Sequence, residues 1–191
     1  YKNFTVSSTT SGFNSTFNGS STGWSAVYGS WSIHNSVYYK TLGVENYWSS
    51  AKHTGTYGNF TYEARLKRGG NDTYSSNTLI IRGKPTTLNA DKSWKSSYYF
   101  QYTNSGSFSV YRLNADGTNT ALKSWTSSSA IVKNGWNTLK VVANGSSLKF
   151  YINGSLVWSG TNATFSTGQV GLTMYRDTGT TGNHLYVDWA K

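Results

Sequence analysis

Along most of the chain, apolar and polar residues alternate in short runs broken by glycine and asparagine, the period of two that belongs to strands with one buried face. From Phe60 to Lys67 the alternation is strict, with Phe60, Tyr62, Ala64 and Leu66 on one side and Thr61, Glu63, Arg65 and Lys67 on the other. Gly29 to Lys40 predicts a hairpin turning at His34 and Asn35, with Trp31 and Ile33 on one face. Leu79 to Arg82 is a short apolar strand, and Tyr98 to Tyr102 pairs with Phe108 to Leu113 across Asn104-Ser105-Gly106. After a turn at Asp116-Gly117 and a strand around Ala121 to Trp125 comes a meander: Trp136 to Ala143, Leu148 to Ile152 and Leu156 to Ser159. Asn144-Gly145 and Asn153-Gly154 punctuate it, residues that accept the positive φ a two-residue hairpin turn needs. Gln169 to Tyr175 and Leu185 to Trp189 complete roughly twelve strands, too many for one flat open sheet and suited to two packed sheets. The expected fold is all-β, an antiparallel two-sheet β-sandwich of the jelly-roll kind, with residues 1–191 as a single domain.

Two stretches resist this reading. Residues 7–23 are rich in Ser, Thr, Gly and Asn, and residues 83–97 hold the only proline, Pro85, with Lys84, Lys92, Trp94 and Lys95. Both are expected to be loops. A long loop within a compact domain is often functional, so Trp94, an aromatic among lysines, is the first choice for an exposed ligand platform.

Composition narrows the chemistry. The absence of cysteine removes disulfides, thiolate metal sites and cysteine nucleophiles together. A net charge of +10, from 17 basic and 7 acidic residues, attracts polyanions, yet the basic residues form no run and no nucleic-acid motif. An acidic polysaccharide accounts for the charge at least as well. The low charged content and abundant Ser, Thr, Asn and Gly lean toward a secreted or cell-surface protein. The expected partner is a polysaccharide or oligosaccharide, with no nucleic acid, no membrane, and a monomeric state.

The order of segments carries a resemblance: Gly23-Trp24, Gly29-Ser-Trp-Ser-Ile33, Gly58-Asn-Phe-Thr-Tyr-Glu-Ala-Arg-Leu-Lys67, Leu79-Ile-Ile-Arg82, the run from Gly135-Trp136 to Asn153-Gly154, and Gly168-Gln-Val-Gly-Leu172. It resembles the concanavalin A-like lectin/glucanase superfamily, nearest to the laminin-G-like jelly rolls that occur as carbohydrate-binding modules. The resemblance implies that Trp31 and Phe60 pack the core, that Gly154 closes a tight hairpin, and that Arg82 faces a sugar on the concave sheet. Relatives of this kind hold a structural calcium beside the first aromatic; the corresponding Phe13-Asn-Ser-Thr-Phe17 has no carboxylate, so no cofactor is expected and calcium is in doubt.

Glycoside hydrolysis by the active glucanases of this fold uses carboxylates on one strand as E-x-D-x-E, and the chain has no such motif, only Glu45 and Glu63 eighteen positions apart. The stronger enzymatic alternative is a jelly-roll polysaccharide lyase, for which Arg65, Gln101, Tyr99 and three histidines supply parts. His34, His53 and His184 are otherwise read as surface side chains, and Trp24, Trp31, Trp136 and Trp189 as core. Binding needs less: an aromatic platform and side chains that hydrogen-bond hydroxyls. The expected function is therefore a non-catalytic carbohydrate-binding module using Glu63, Arg82, Trp94, Tyr99, Gln101 and Asp177, with a structural or adhesive domain as the remaining alternative.

Overall fold

The structure, a computed structural model, describes residues 12–191, so residues 7–11 of the first predicted loop lie outside it. Among the described residues there are fourteen strands and no helix, arranged as two seven-stranded antiparallel sheets. The first sheet runs β1 (Trp24–Tyr28), β4 (Trp48–Tyr57), β13 (Gly168–Tyr175), β6 (Asn77–Gly83), β7 (Ser97–Tyr102), β8 (Ser107–Leu113), β9 (Asn119–Ser127). The second runs β12 (Ser155–Thr161), β11 (Ser147–Ile152), β10 (Asn137–Asn144), β5 (Phe60–Gly69), β14 (His184–Ala190), β3 (Tyr38–Leu42), β2 (Trp31–His34). This is the sandwich that the alternation predicts.

The core lies between the sheets. Leu79 and Ile81 of β6, Tyr98, Phe100 and Tyr102 of β7 and Val170 and Leu172 of β13 meet Tyr62, Ala64 and Leu66 of β5 and Leu148, Phe150 and Ile152 of β11. Phe100 and Phe150 touch across the gap at a centroid distance of 4.8 Å, and the Tyr62 hydroxyl donates to the carbonyl of Gly171, 3.2 Å away. Trp31 and Phe60 pack against this core as the resemblance implies. Trp136 and Trp189 do not belong to it: the first lies under Arg65 and the second under Lys191, on the outside of the second sheet.

The hairpin between β2 and β3 turns through Asn35 and Ser36, both at positive φ, and Asn153-Gly154 closes β11 onto β12 in the same way. Two strands, β1 and β4, have no alternating signature. In β4 the consecutive Ser49, Ser50 and Ala51 are all buried because both faces of that strand are covered, one by the core and one by the loop that follows β6.

His53 departs from its expected surface role. It is half-buried and stacked on Phe13 at 3.9 Å, and its Nδ1 accepts from the Tyr57 hydroxyl at 2.8 Å and the Gly55 N–H at 3.2 Å. Burial lowers its pKa below the ordinary 6.5, so the folded state favours neutral imidazole. Its contribution to stability is present above the unfolded histidine value and is lost as pH falls through the lower folded value. The melting temperature is therefore expected to drop between about pH 7.5 and pH 5, and His53→Gln to flatten that drop, as read by thermal denaturation across the range.

Candidate functional site

On strands of the first sheet, the residues that alternate away from the core form an outward face. Register places Ser50, Thr173, Thr78, Gln101 and Ser109 side by side across five strands, a continuous polar row. All five are buried, although they point away from the inter-sheet core. Of the five only Gln101 borders a groove on this face, and Ser50 lies under Trp94. The segment between β6 and β7 folds back over the face, held by a bridge between Leu88 and Trp94, and presents Asn89, Asp91 and Ser93 as one rim. Gly117, Asn119 and Trp125, from the β8–β9 hairpin, form the other. The floor is Tyr99, Gln101, Tyr111 and Leu113, and the cleft encloses about 330 Å³. It continues past Trp48, Ser76 and Asp91 into a second depression of about 380 Å³ bounded by Tyr74, Tyr175 and Asp177.

The aromatic members are disposed as platforms. Trp48 packs edge-on against Tyr99 at 5.1 Å and leans on Tyr175 at 5.5 Å, with its remaining surface in the groove. Trp125 is 42% exposed and Tyr74 80% exposed, large aromatic surfaces left open to solvent. Gln101 lies at the centre. Its Nε2 donates to the Ser109 Oγ at 2.9 Å, and its Oε1 is buried with no protein partner. Nε2 keeps a second N–H without a protein partner, while Oε1 is closed to solvent.

Three of the six side chains expected at the site meet in this groove: Tyr99, Gln101 and Asp177. The other three do not. Trp94 is fully buried, so the expectation of an exposed platform is corrected. Its ring lies over Gly83 and Gly171, where an added methyl would come within 2.6 and 2.5 Å of it. Its Nε1 donates to the Ser50 Oγ at 2.9 Å, and its backbone N–H to the Tyr99 hydroxyl at 2.8 Å. Arg82 is also buried. A φ of 49° takes it out of the alternation of β6, and its guanidinium donates to the carbonyls of Gly58 and Phe165. It ties two loops together and offers nothing to a sugar on the sheet. Glu63 faces outward from the second sheet, between Lys140 and Lys191.

The parts of the lyase alternative are scattered. Arg65 pairs with Asp188 on the second sheet, where His34 and His184 also lie, and His53 packs on Phe13. Tyr99 is buried beneath Trp94, and burial pushes its phenol far above the ordinary value, which unsuits it as a base. The Glu63–Asp177 pair is split between opposite sheets. The groove residues that alternation did not single out are Trp48, Asn89, Asp91 and Trp125. Asp91 had a usable signal, since it lies in the long segment already marked as a rim. Among the described residues no cluster of three His, Asp or Glu side chains is placed to hold a metal ion.

Comparison with known proteins gives a consistent picture. A family model described as a 3-keto-alpha-glucoside-1,2-lyase-like domain matches residues 12–181. The carbohydrate-binding module CBM66 from Bacillus subtilis superposes with a TM-score of 0.67 at 20% identity, over 86% of this chain and 92% of that one. A β-glucanase from Bacillus licheniformis gives 0.68 at 15% identity, over 93% and 95%. An endo-β-galactosidase from Clostridium perfringens that releases GlcNAcα1-4Gal gives 0.68 at 11%, over 94% of this chain and 61% of that one. No curated protein sequence matches the chain. At these identities the superpositions establish the fold alone, a two-sheet jelly-roll β-sandwich.

Proposed function

Because the chain belongs to the 3-keto-alpha-glucoside-1,2-lyase-like domain family, on a fold that also serves a carbohydrate-binding module and glycan-cleaving enzymes, we propose that it binds a neutral polysaccharide in the groove of the first sheet without cleaving it. The observation that carries this reading is a groove floored by Tyr99 and Gln101 and flanked by Trp48 and Trp125, with polar side chains along its rims. Aromatic faces hold the apolar face of a pyranose, and Asn89, Asp91, Ser93 and Asn119 on the rims, with Gln101 on the floor, face its hydroxyl edge. Neutrality follows from the local charge. No Lys or Arg lines either part of the groove, which carries Asp91 and Asp177, so a polyuronate would meet carboxylates there in spite of the chain's positive total.

A glycosidase reading has one observation in its favour, that Asp91 and Asp177 border the same depression beside Trp48 and Tyr175. Against it, both are exposed. Asp91 Oδ1 accepts from the Ser93 N–H and hydroxyl, and Asp177 Oδ1 from the Thr178 N–H. A catalytic acid on this chemistry sits in a desolvated pocket, and neither of these exposed carboxyls does.

A screen of neutral plant glycans, fructans and acidic polysaccharides tests both readings when repeated at about 0.5 M salt, where the Debye length shrinks to about 4 Å. Binding of a neutral glycan that survives salt, with no release of reducing ends or unsaturated sugars, is the expected result. Product release, stopped by Asp91→Asn, would replace it with the glycosidase. Trp48→Ala is expected to weaken binding by about 2 kcal/mol, roughly thirtyfold, and Gln101→Leu by about 1 kcal/mol, both measured by calorimetric titration.

A further inference from the structure

The positive charge of the chain is not in the groove, and the structure shows where much of it is. The outward face of the second sheet carries Lys40 on β3, Arg65 and Lys67 on β5, Lys140 on β10 and Lys149 on β11, with Lys191 just past β14. Against these six stand two carboxylates, both already engaged: Glu63 with Lys140 and Lys191, at 3.9 and 3.2 Å, and Asp188 with Arg65. Among the described residues no carboxylate pairs with Lys40, Lys67 or Lys149. Lys40 and Lys67 are both register partners of Tyr186 from opposite sides, two strand spacings or about 10 Å apart on one row. Lys140 and Lys149 extend the field across β10 and β11.

We propose that this face is a second binding surface, for an acidic polysaccharide bearing a carboxylate on each sugar, separate from the groove and on the opposite side of the sandwich. The occupant is argued from charge complementarity and from what the face lacks. Single-stranded nucleic acid binds through aromatic rings left free to stack on bases, and a duplex needs an element that enters a groove. Here the rings are occupied: Tyr38 packs edge-on against Tyr186 at 5.1 Å and against Trp136 at 6.2 Å, Arg65 covers Trp136 at 4.9 Å, and Lys140 covers Tyr151 at 4.4 Å. Among the described residues these cations all come from strands or a strand end, and there is no helix. Along the row through Tyr186, Lys67 and Lys40 stand about 10 Å apart, roughly the length of two sugar residues, so a polyuronate laid along it can set alternate carboxylates against them. The groove would repel the same polymer, so the domain grips a neutral chain on one side and an acidic one on the other.

The test uses polygalacturonate and single-stranded oligo-dT as probes, with the intact protein at low salt. The triple variant K40Q/K67Q/K149Q is expected to bind polygalacturonate about tenfold more weakly. K84Q/K123Q/K133Q, which removes equal charge elsewhere, is expected to change it less than about twofold, and both are expected to bind neutral glycan as the parent does. Equal losses in the two triples would overturn the proposal by showing that net charge alone attracts the polymer. So would tighter binding of oligo-dT than of polygalacturonate, lost in the first triple. As a check that does not depend on variants folding, limited acetylation of the native protein should find Lys40, Lys67 and Lys149 protected by polygalacturonate. Unchanged modification there would overturn the assignment.

Discussion

Trp94→Ala is expected to lower the unfolding free energy by about 3–5 kcal/mol and to remove glycan binding together with it. The indole is the largest fully buried side chain, and it is the plug between the first sheet and the segment that forms the groove's rim. Its removal leaves a cavity over Gly83 and Gly171 and strips Ser50 of a donor. Asn89, Asp91 and Ser93 would then lose the anchor that fixes them as a wall. Denaturant unfolding and glycan titration on the same sample check this. Lost binding with unchanged stability would mean that the ring touches the sugar directly, as the sequence first suggests.

Arg68→Met is expected to cost a similar amount, about 3–5 kcal/mol, for a different reason. Arg68 lies on the inward side of β5 at the end of the sandwich, fully buried, and donates to Asp72 Oδ2 at 2.9 Å, Asn77 Oδ1 at 3.2 Å and the carbonyls of Tyr175 and Ser76 at 2.8 and 3.4 Å. Tyr175 and Ser76 border the groove, so this guanidinium holds the groove's end to the core. Removing it leaves Asp72 buried without its countercharge. The pair R68M/D72N should recover part of the loss, which a double-mutant cycle measures.

The pH dependence of that pair has a definite sign. Burial raises the Asp72 pKa, but hydrogen bonds from Ser75 and Tyr74 and the charge of Arg68 more than offset this and hold it below the ordinary 3.8. A carboxyl with a depressed folded value contributes stability above its unfolded value and loses it as pH falls through the folded one. The stability gap between parent and Asp72→Asn should therefore be full above about pH 5 and close on further acidification.

Strand positions were legible wherever one face is wet, because only then does burial imprint a period of two. That condition holds for β5 and for the β10–β12 meander, and it fails for β4, whose Ser49-Ser50-Ala51 is covered on both sides. Part of the site was legible although β7, on which it lies, is buried on both faces. Tyr99 and Gln101 come from the outward positions of β7, opposite Tyr98 and Phe100, and alternation alone assigns them. Trp94 and Arg82 were misplaced because their setting is tertiary: a loop folding back on a sheet buries the first, and a left-handed backbone turns the second. Glu63 was assigned correctly to a wet face, but alternation cannot say which of two sheets a wet face belongs to.

The account rests on the groove of the first sheet, and a backbone amide chemical-shift map with the neutral glycan found by the screen examines that most directly. Perturbations are predicted to gather at Trp48, Ser76, residues 89–93, Gln101, Tyr111, Trp125 and Tyr175, with Lys40, Lys67 and Lys149 on the opposite face unchanged. Perturbations that bypass Gln101 and Trp48 and settle on the second sheet would contradict it.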